Sequence, residues 1–313
     1  MSERSANVSE RLSRAIHSLQ GLSCGDAFGE RFFVHPDVAT SLITQRALPS
    51  RPWRYTDDTA MAIAITEILE EFGEIHPERL AENFGKHFIA DPHRGYGPAM
   101  HSLLPELADH PKYWKQLAPQ LFGAKGSFGN GAAMRVAPVG AFFADNLDKV
   151  VKQAELSAVI THGHPEGIAG AIAVALAAAL AWRHRTAPIS PQDFLQPICE
   201  RTPMSEVQLG IVKALALLEN TTVDQAASAL GTGAKVSAQD TVPFCLWAAS
   251  LHLNDYEEAM WTTVAGLGDR DTTCAIVGGI IVMSAGIESI PSPWKQAREP
   301  IPVWFLDPDS DPM

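Results

Sequence analysis

The stretch from Arg54 to Gly73, RYTDDTAMAIAITEILEEFG, decides the fold class. Met61, Ile65, Ile68 and Leu69 recur at helical spacing on one side, and Gly73 suits the left-handed stop of a helix. Just ahead of this helix stand two adjacent aspartates between threonines. Neighbouring carboxylates repel each other, so either a helix N-terminus or a bound cation has to make the pair tolerable.

Working outward from there, the same period returns along the chain. From Ser9, Leu12, Ala15, Ile16 and Leu19 mark a helix, and Pro77 opens another over PERLAENFGKHFIAD. Further helical stretches start near Leu147, Pro165, Ser205, Thr222, Thr241, Asp255 and Thr273. No train of alternating β-branched residues separates them, which excludes a TIM barrel or a doubly wound sheet. The expected fold class is all-α, with residues 1–313 forming a single domain. DPHRGYGPAM and GAKGSFGNGAAMRVAPVG read as specific connections, and about 290–313 reads as an irregular Pro-rich segment anchored by Trp294, Trp304 and Phe305.

Composition narrows the function classes. With 313 residues, 46% hydrophobic and 19% charged, the chain has enough apolar surface for a large buried core. A formal charge of −12 argues against nucleic acid, whose phosphates need a basic stripe. The four cysteines, Cys24, Cys199, Cys245 and Cys274, form no CxxC pair, which fits a reducing compartment. The charged N-terminus has no apolar core of a signal peptide, and the Ala-rich run Gly167–Trp182 reads as a buried helix and not a membrane span. The chain is therefore expected to be cytoplasmic, with no membrane partner.

A second acidic cluster, Asp269-Arg270-Asp271-Thr272-Thr273, also precedes an apolar helical run. Capping explains either cluster alone, since Thr and Asp are favoured at helix starts. Dipole compensation does not require the pair Asp57/Asp58, however. Together the clusters offer four carboxylates and several threonine hydroxyls, hard oxygen donors suited to Mg²⁺, Mn²⁺ or Ca²⁺ and not to zinc. If the two helix starts converge, a two-cation site relieves the repulsion and gives a way to activate water.

Three other stretches sharpen this reading. KGSFGNGAAMRVAPVG (Lys125–Gly140) has glycines that permit close backbone approach to a phosphate, or else a tight packing turn. THGHPEG sets His162 and His164 in a loop before a helix, placed for capping or ligand contact more than for metal. HRGYGPAM brackets Tyr96 with glycines, as a turn or as a ring exposed for stacking.

GLSCGDAFGE, YTDDTAMA, RGYG, GNGAAMR, THGHPEG and GDRDTTCAIVGGI occur here in the order seen in the ADP-ribosylglycohydrolase family, and over about Gly21–Gly286 the chain resembles that family. The resemblance implies a compact single-domain orthogonal helical bundle with a central di-metal cleft holding two Mg²⁺ or Mn²⁺. By analogy the metal ligands are Thr56, Asp57, Asp58, Asp269, Asp271 and Thr272. Gly126, Ser127, Phe128, Gly129, Asn130 and Gly131 would cradle the diphosphate and distal ribose, with His162 near that ribose and Tyr96 near the cleft. The implied reaction removes ADP-ribose from a modified protein side chain, arginine linkage favoured, by attack of a metal-activated water on the anomeric carbon, with Asp57 or Asp58 as proton acceptor. The partner is an ADP-ribosylated protein or a small ADP-ribose-containing substrate. A two-metal hydrolase of another nucleotide-sugar substrate, and a non-catalytic ADP-ribose-binding protein, are the alternatives. One departure stands out: family members often carry a glutamate four residues after the second glycine of GDxxG, and Phe33 occupies that position here, with Glu30 directly after Gly29.

Overall fold

The computed structural model describes residues 3–302. Among these the only regular elements are helices, with two isolated bridges in place of any sheet. The expected helices form at Asp57–Phe72, Pro77–Ala90, Leu147–Ala158, Pro165–Arg183, Glu206–Ala216, Val223–Leu230, Ala238–Leu251, Tyr256–Ala265 and Arg270–Ala285. Gly73 ends the first of them at φ 69°, and its amide closes onto the Leu69 carbonyl. Thr222 and Gln225 form a reciprocal capping box at another.

Several boundaries differ from the expectation. The first helix runs Glu3–Glu30, so Ser9 lies inside it and is not its start. The connection Lys125–Gly140 contains short helices at Gly131–Met134 and Ala137–Phe142. Helices at Pro36–Thr44, Met100–Asp109, Trp114–Ala124 and Pro191–Arg201 are short, and the last three carry an internal proline (Pro105, Pro119, Pro197) that reads as a helix breaker in the sequence. The segment expected to be irregular holds a helix at Ser292–Ala297, where proline in the first turn costs nothing. Trp294 is 1% exposed and stacks on Phe28 at 4.4 Å, within a cluster that includes Trp53 and Trp261. It is the anchor expected of it; Trp304 and Phe305 lie outside the described residues.

The Ala-rich helix Pro165–Arg183 is long and apolar enough to cross a membrane by composition, yet 78% of its apolar window is buried inside the protein. It is a core helix, whose small side chains let neighbours approach from every side.

What positions the two acidic clusters is a glycine ridge. Gly21, Gly25 and Gly29 lie four residues apart on one face of the first helix. A Cβ on them would run into the carbonyl oxygens of Gly278, Cys274 and Arg270, themselves four apart on the last long helix. The two backbones are thus in direct contact from Gly21 to Gly29, about two turns, which sets Asp26 and Glu30 beside Asp269 and Asp271. Gly25→Ala is expected to force this contact open and to lower stability by about 3 kcal/mol, the upper range for overpacking. Urea unfolding measures it; an unchanged midpoint would mean the backbones can separate freely.

Candidate active site

The TDDT segment is organised around a residue outside it. Asp26, fully buried on the first helix, accepts from the Thr56 amide (2.9 Å), the Thr56 hydroxyl (2.9 Å), the Thr59 amide (3.1 Å) and the Thr59 hydroxyl (2.5 Å). These contacts to one carboxylate fix how the helix starts, with Asp57 lining the cavity and Asp58 buried, its Oδ2 2.9 Å from the Thr56 hydroxyl. Thr56 also caps the helix, its Oγ1 accepting from the Asp58 amide at 3.4 Å. The Asp57 amide donates to the Arg94 carbonyl at 2.7 Å. Arg94 in turn pairs with Glu299 and lies over the Tyr55 ring at 4.1 Å, so the chain near its C-terminal end braces the cluster.

The second cluster does not behave as a cap. Asp269 occupies the N-cap position without a side-chain capping bond, and its Oδ2 accepts from Asn130 Nδ2 at 2.7 Å. That amide's other hydrogen goes to Thr241 Oγ1 at 3.1 Å, so Asn130 uses both donors for positioning. Asp57, Asp269, Asp271 and Thr272 all line one cavity of about 450 Å³. Thr56 and Asp58 stand just behind it, with Asp58 Oδ1 buried and unpartnered.

The electrostatics follow from this crowding. Burial, and then the charge of Asp26, push Asp57 up to about 7. The same causes hold Asp58 well above the carboxylate range, and burial followed by Asp269 does so for Asp271. Asp26 itself is raised to about 6 by burial, against the pull of its four hydrogen bonds. Among the described residues no three His, Cys, Asp or Glu side chains meet as a ready-made ion cage. The donor set nonetheless fits a hard divalent cation: it is all oxygen, its carboxylates raise one another's pKa, and Asp58 Oδ1 is an orphaned buried acceptor.

The glycine-rich segment contributes differently from the expectation. Ser127, Phe128, Gly129, Asn130 and Gly131 line the cavity, whereas Gly126 packs against the Gly163–His164 backbone away from it. The Gly129 amide is taken by Ser127 Oγ at 3.1 Å. A Cβ on Gly129 or Gly131 would meet His162 Nε2 at 3.2 or 3.1 Å, so these glycines chiefly make room for the imidazole ring. His162 is 5% exposed and lines the cavity; burial, then the Arg135 charge, lower its pKa to about 3. His164 caps the Ala-rich helix, Nδ1 accepting from the Glu166 amide at 3.1 Å. Tyr96 is a correction to the exposed-ring reading: it is 5% exposed, packed edge-on to Phe88 at 5.0 Å, and only its neighbours Gly95 and Gly97 reach the cavity.

Four contributors do not stand out in the sequence: Asp26, Arg135, Phe122 and the setting of Glu30. Glu30 lies one turn beyond Asp26, and its carboxyl is raised by burial and by the charges of Asp26 and Asp269, so it sits beside the acidic cluster. Phe33 is 46% exposed under the Arg270 guanidinium, 5.0 Å from its ring centre. Arg135 is the buried cation of the cavity wall. Phe122 and Phe128, 60% and 40% exposed, lie side by side in the cavity wall, with ring centres 6.4 Å apart and planes tilted by 36°. The backbone turns left-handed at Phe122, Gly123 and Ala124, an unfavourable conformation for two of the three, and this presents the Phe122 ring. For Asp26 alone the sequence carries a signal, an aspartate set between glycines in GDAFG.

An all-α protein with two acidic helix starts facing one cavity belongs to the class of acid-lined small-ligand sites. The family model for ADP-ribosylglycohydrolase matches residues 7–307, and the chain belongs to that family. It is 29% identical to ADP-ribosylhydrolase ARH3 of Danio rerio, over 92% of this chain and 87% of the relative. The corresponding figures for ADP-ribosylhydrolase ARH3 of Homo sapiens are 28%, 92% and 90%. An uncharacterized protein of Archaeoglobus fulgidus is 29% identical over 77% of this chain and 74% of its own. Among solved structures, an ADP-ribosylglycohydrolase-related protein complex shares the fold, with a TM-score of 0.64, 23% identity, and coverage of 93% and 94% of the two chains.

Proposed function

We propose that this protein hydrolyses the bond between the anomeric carbon of an ADP-ribosyl group and a modified protein side chain, with arginine linkage first. The observation that carries the reading is one cavity lined by three chemistries: an acidic cluster for a sugar that develops positive charge, a loop carrying His162 for oxygens, and an exposed aromatic pair for a base. The exposed faces of Phe122 and Phe128, both in the cavity wall, offer apolar surface on which a flat heterocycle would stack. A volume of about 450 Å³ is in the range of small-ligand pockets.

Thr56, Asp57, Asp58, Asp269, Asp271 and Thr272 are the residues that would hold two divalent cations, Mg²⁺ or Mn²⁺. When bound, such cations supply Lewis acidity, gripping a diol and acidifying water. The protein's own groups do the rest. Carboxylates under the ribose stabilise the oxocarbenium-like transition state. Asp57 lines the cavity and accepts the proton that the attacking water gives up as its oxygen bonds to the anomeric carbon. The bond to the side-chain nitrogen breaks with its electron pair going to nitrogen, so the guanidinium leaves as a neutral guanidine, and the proton held by Asp57 returns to it through solvent. His162, with a pKa near 3, is neutral at working pH and is no acid for the leaving group. A guanidine departs with little acid help, while a serine oxygen needs more.

The test is release of free ADP-ribose from arginine-ADP-ribosylated protein in Mg²⁺ and then in EDTA. Metal-dependent release supports the reading. AMP as product would replace it with pyrophosphate cleavage, and binding without release would replace it with a non-catalytic reader of ADP-ribose. Phe128→Ala is expected to weaken ADP-ribose binding about tenfold by removing one stacking partner. Calorimetric titration measures this, and unchanged affinity would place the base elsewhere.

A further inference from the structure

Arg135 is fully buried against the ring of Phe84, its guanidinium carbon 4.4 Å from the ring centre. Its Nη2 donates to the Ser157 carbonyl at 3.2 Å and to Thr161 Oγ1 at 2.8 Å. Thr161 is also fully buried, and its Oγ1 lies 2.7 Å from His162 Nδ1. Guanidinium only donates, so the first bond runs from Arg135 to the threonine oxygen. The threonine hydroxyl then has one hydrogen left to place, and among the described residues His162 Nδ1 is the acceptor within reach. The opposite arrangement, with Nδ1–H donating to Thr161, would leave that hydroxyl hydrogen buried without a partner, which is costly. A hydroxyl that already accepts from a cation is also a stronger donor.

We infer that Arg135, acting through the Thr161 hydroxyl, locks His162 in the Nε2–H tautomer, so that the ring presents a fixed neutral donor to the cavity. Nε2 has no protein partner among the described residues and stands in the space cleared by Gly129 and Gly131. Its target is an acceptor oxygen of the ligand, a sugar hydroxyl or a phosphate oxygen. That last step rests on the ADP-ribose reading; the tautomer does not. Arg135 and Thr161 are therefore positioning residues, and the chain of donors runs one way, from a buried cation to the ligand.

The experiment is ¹⁵N NMR of ring-labelled histidine in the full-length protein, with the His162 signals assigned by their loss in His162→Gln. The expected wild-type spectrum has a pyridine-like Nδ1 and a pyrrole-like Nε2 that keeps its proton coupling. Thr161→Val removes the hydroxyl at nearly constant volume; the ring should then populate both tautomers and ADP-ribose should bind about tenfold more weakly. Thr161→Ser should restore both. A wild-type Nδ1–H signal overturns the inference with no variant needed, and so does Thr161→Val with an unchanged tautomer. If the wild type shows the expected tautomer yet binds no ADP-ribose, the lock stands and the proposed ligand falls.

Discussion

Asp57→Asn is expected to lower the rate of ADP-ribose release by about 10²–10⁴-fold while the protein stays folded and ADP-ribose still binds. The local geometry makes this a clean substitution. The Asp57 amide is held by the Arg94 carbonyl at 2.7 Å, and the helix start is fixed by Asp26, so neither anchor involves the Asp57 carboxyl. Asparagine keeps the shape but neither accepts the water's proton nor offsets positive charge on the ribose. The loss should fall on kcat more than on KM, because those two roles matter most in the transition state. Asp26→Asn gives the contrasting case. It does not line the cavity, and changing it weakens the four donor contacts that set the position of Thr56 and Thr59. Stability should fall together with activity there, whereas Asp57→Asn should leave thermal stability equal or higher. Full Mg²⁺-dependent activity in Asp57→Asn would end this mechanism.

The contrast between these aspartates also shows what a sequence can and cannot reveal. Asp57 and Asp58 stand out because two adjacent carboxylates have no simple structural excuse, and Asp269 and Asp271 because they repeat the pattern. Asp26 is marked only by the glycines around it in GDAFG, which hint at a close approach but not at its four donors; its importance lies in which residues come to meet it. That meeting depends on Gly21, Gly25 and Gly29 matching Arg270, Cys274 and Gly278 across two helices far apart in sequence. The glycine spacing is visible in GLSCGDAFGE, but its partner face is not. Arg135 is hidden for the same reason, since a lone arginine after an Ala-rich turn usually points to solvent and here is fully buried. Long helices with strong caps are legible because their signals are local. Tyr96 misleads because flanking glycines expose backbone, and here that is what faces the cavity while the ring turns inward.

Divalent cations are expected to stabilise the protein far more at about pH 8 than at about pH 5, and the cation-free protein to lose stability over the same interval. The sign follows from the carboxyls. Burial, reinforced by neighbouring acids for Asp57, Asp58 and Asp271, raises their folded-state pKa: about 6 for Asp26, about 7 for Asp57, and well above the carboxylate range for Asp58 and Asp271. In an unfolded chain such groups titrate near about 4. A raised folded pKa means stability that is complete below that unfolded value and is lost as pH climbs through about 6 and 7. A tenfold difference in proton affinity between the folded and unfolded chain is worth roughly 1.4 kcal/mol, so the combined loss is on the order of a few kcal/mol once the carboxyls' mutual influence is allowed for. Cations bound among ionised carboxylates reverse it, and saturation at about a thousandfold over Kd adds roughly 4 kcal/mol. Melting curves in EDTA and in saturating Mg²⁺ or Mn²⁺, taken at both pH values, measure the effect. Asp57→Asn serves as the control: it removes one titrating group, so its cation-free stability should fall less steeply with pH than the wild type's, whatever the exposed residues contribute. A cation-induced rise in Tm equal at both pH values, together with parallel slopes for wild type and variant, would mean that the acidic cluster is not where the cations bind.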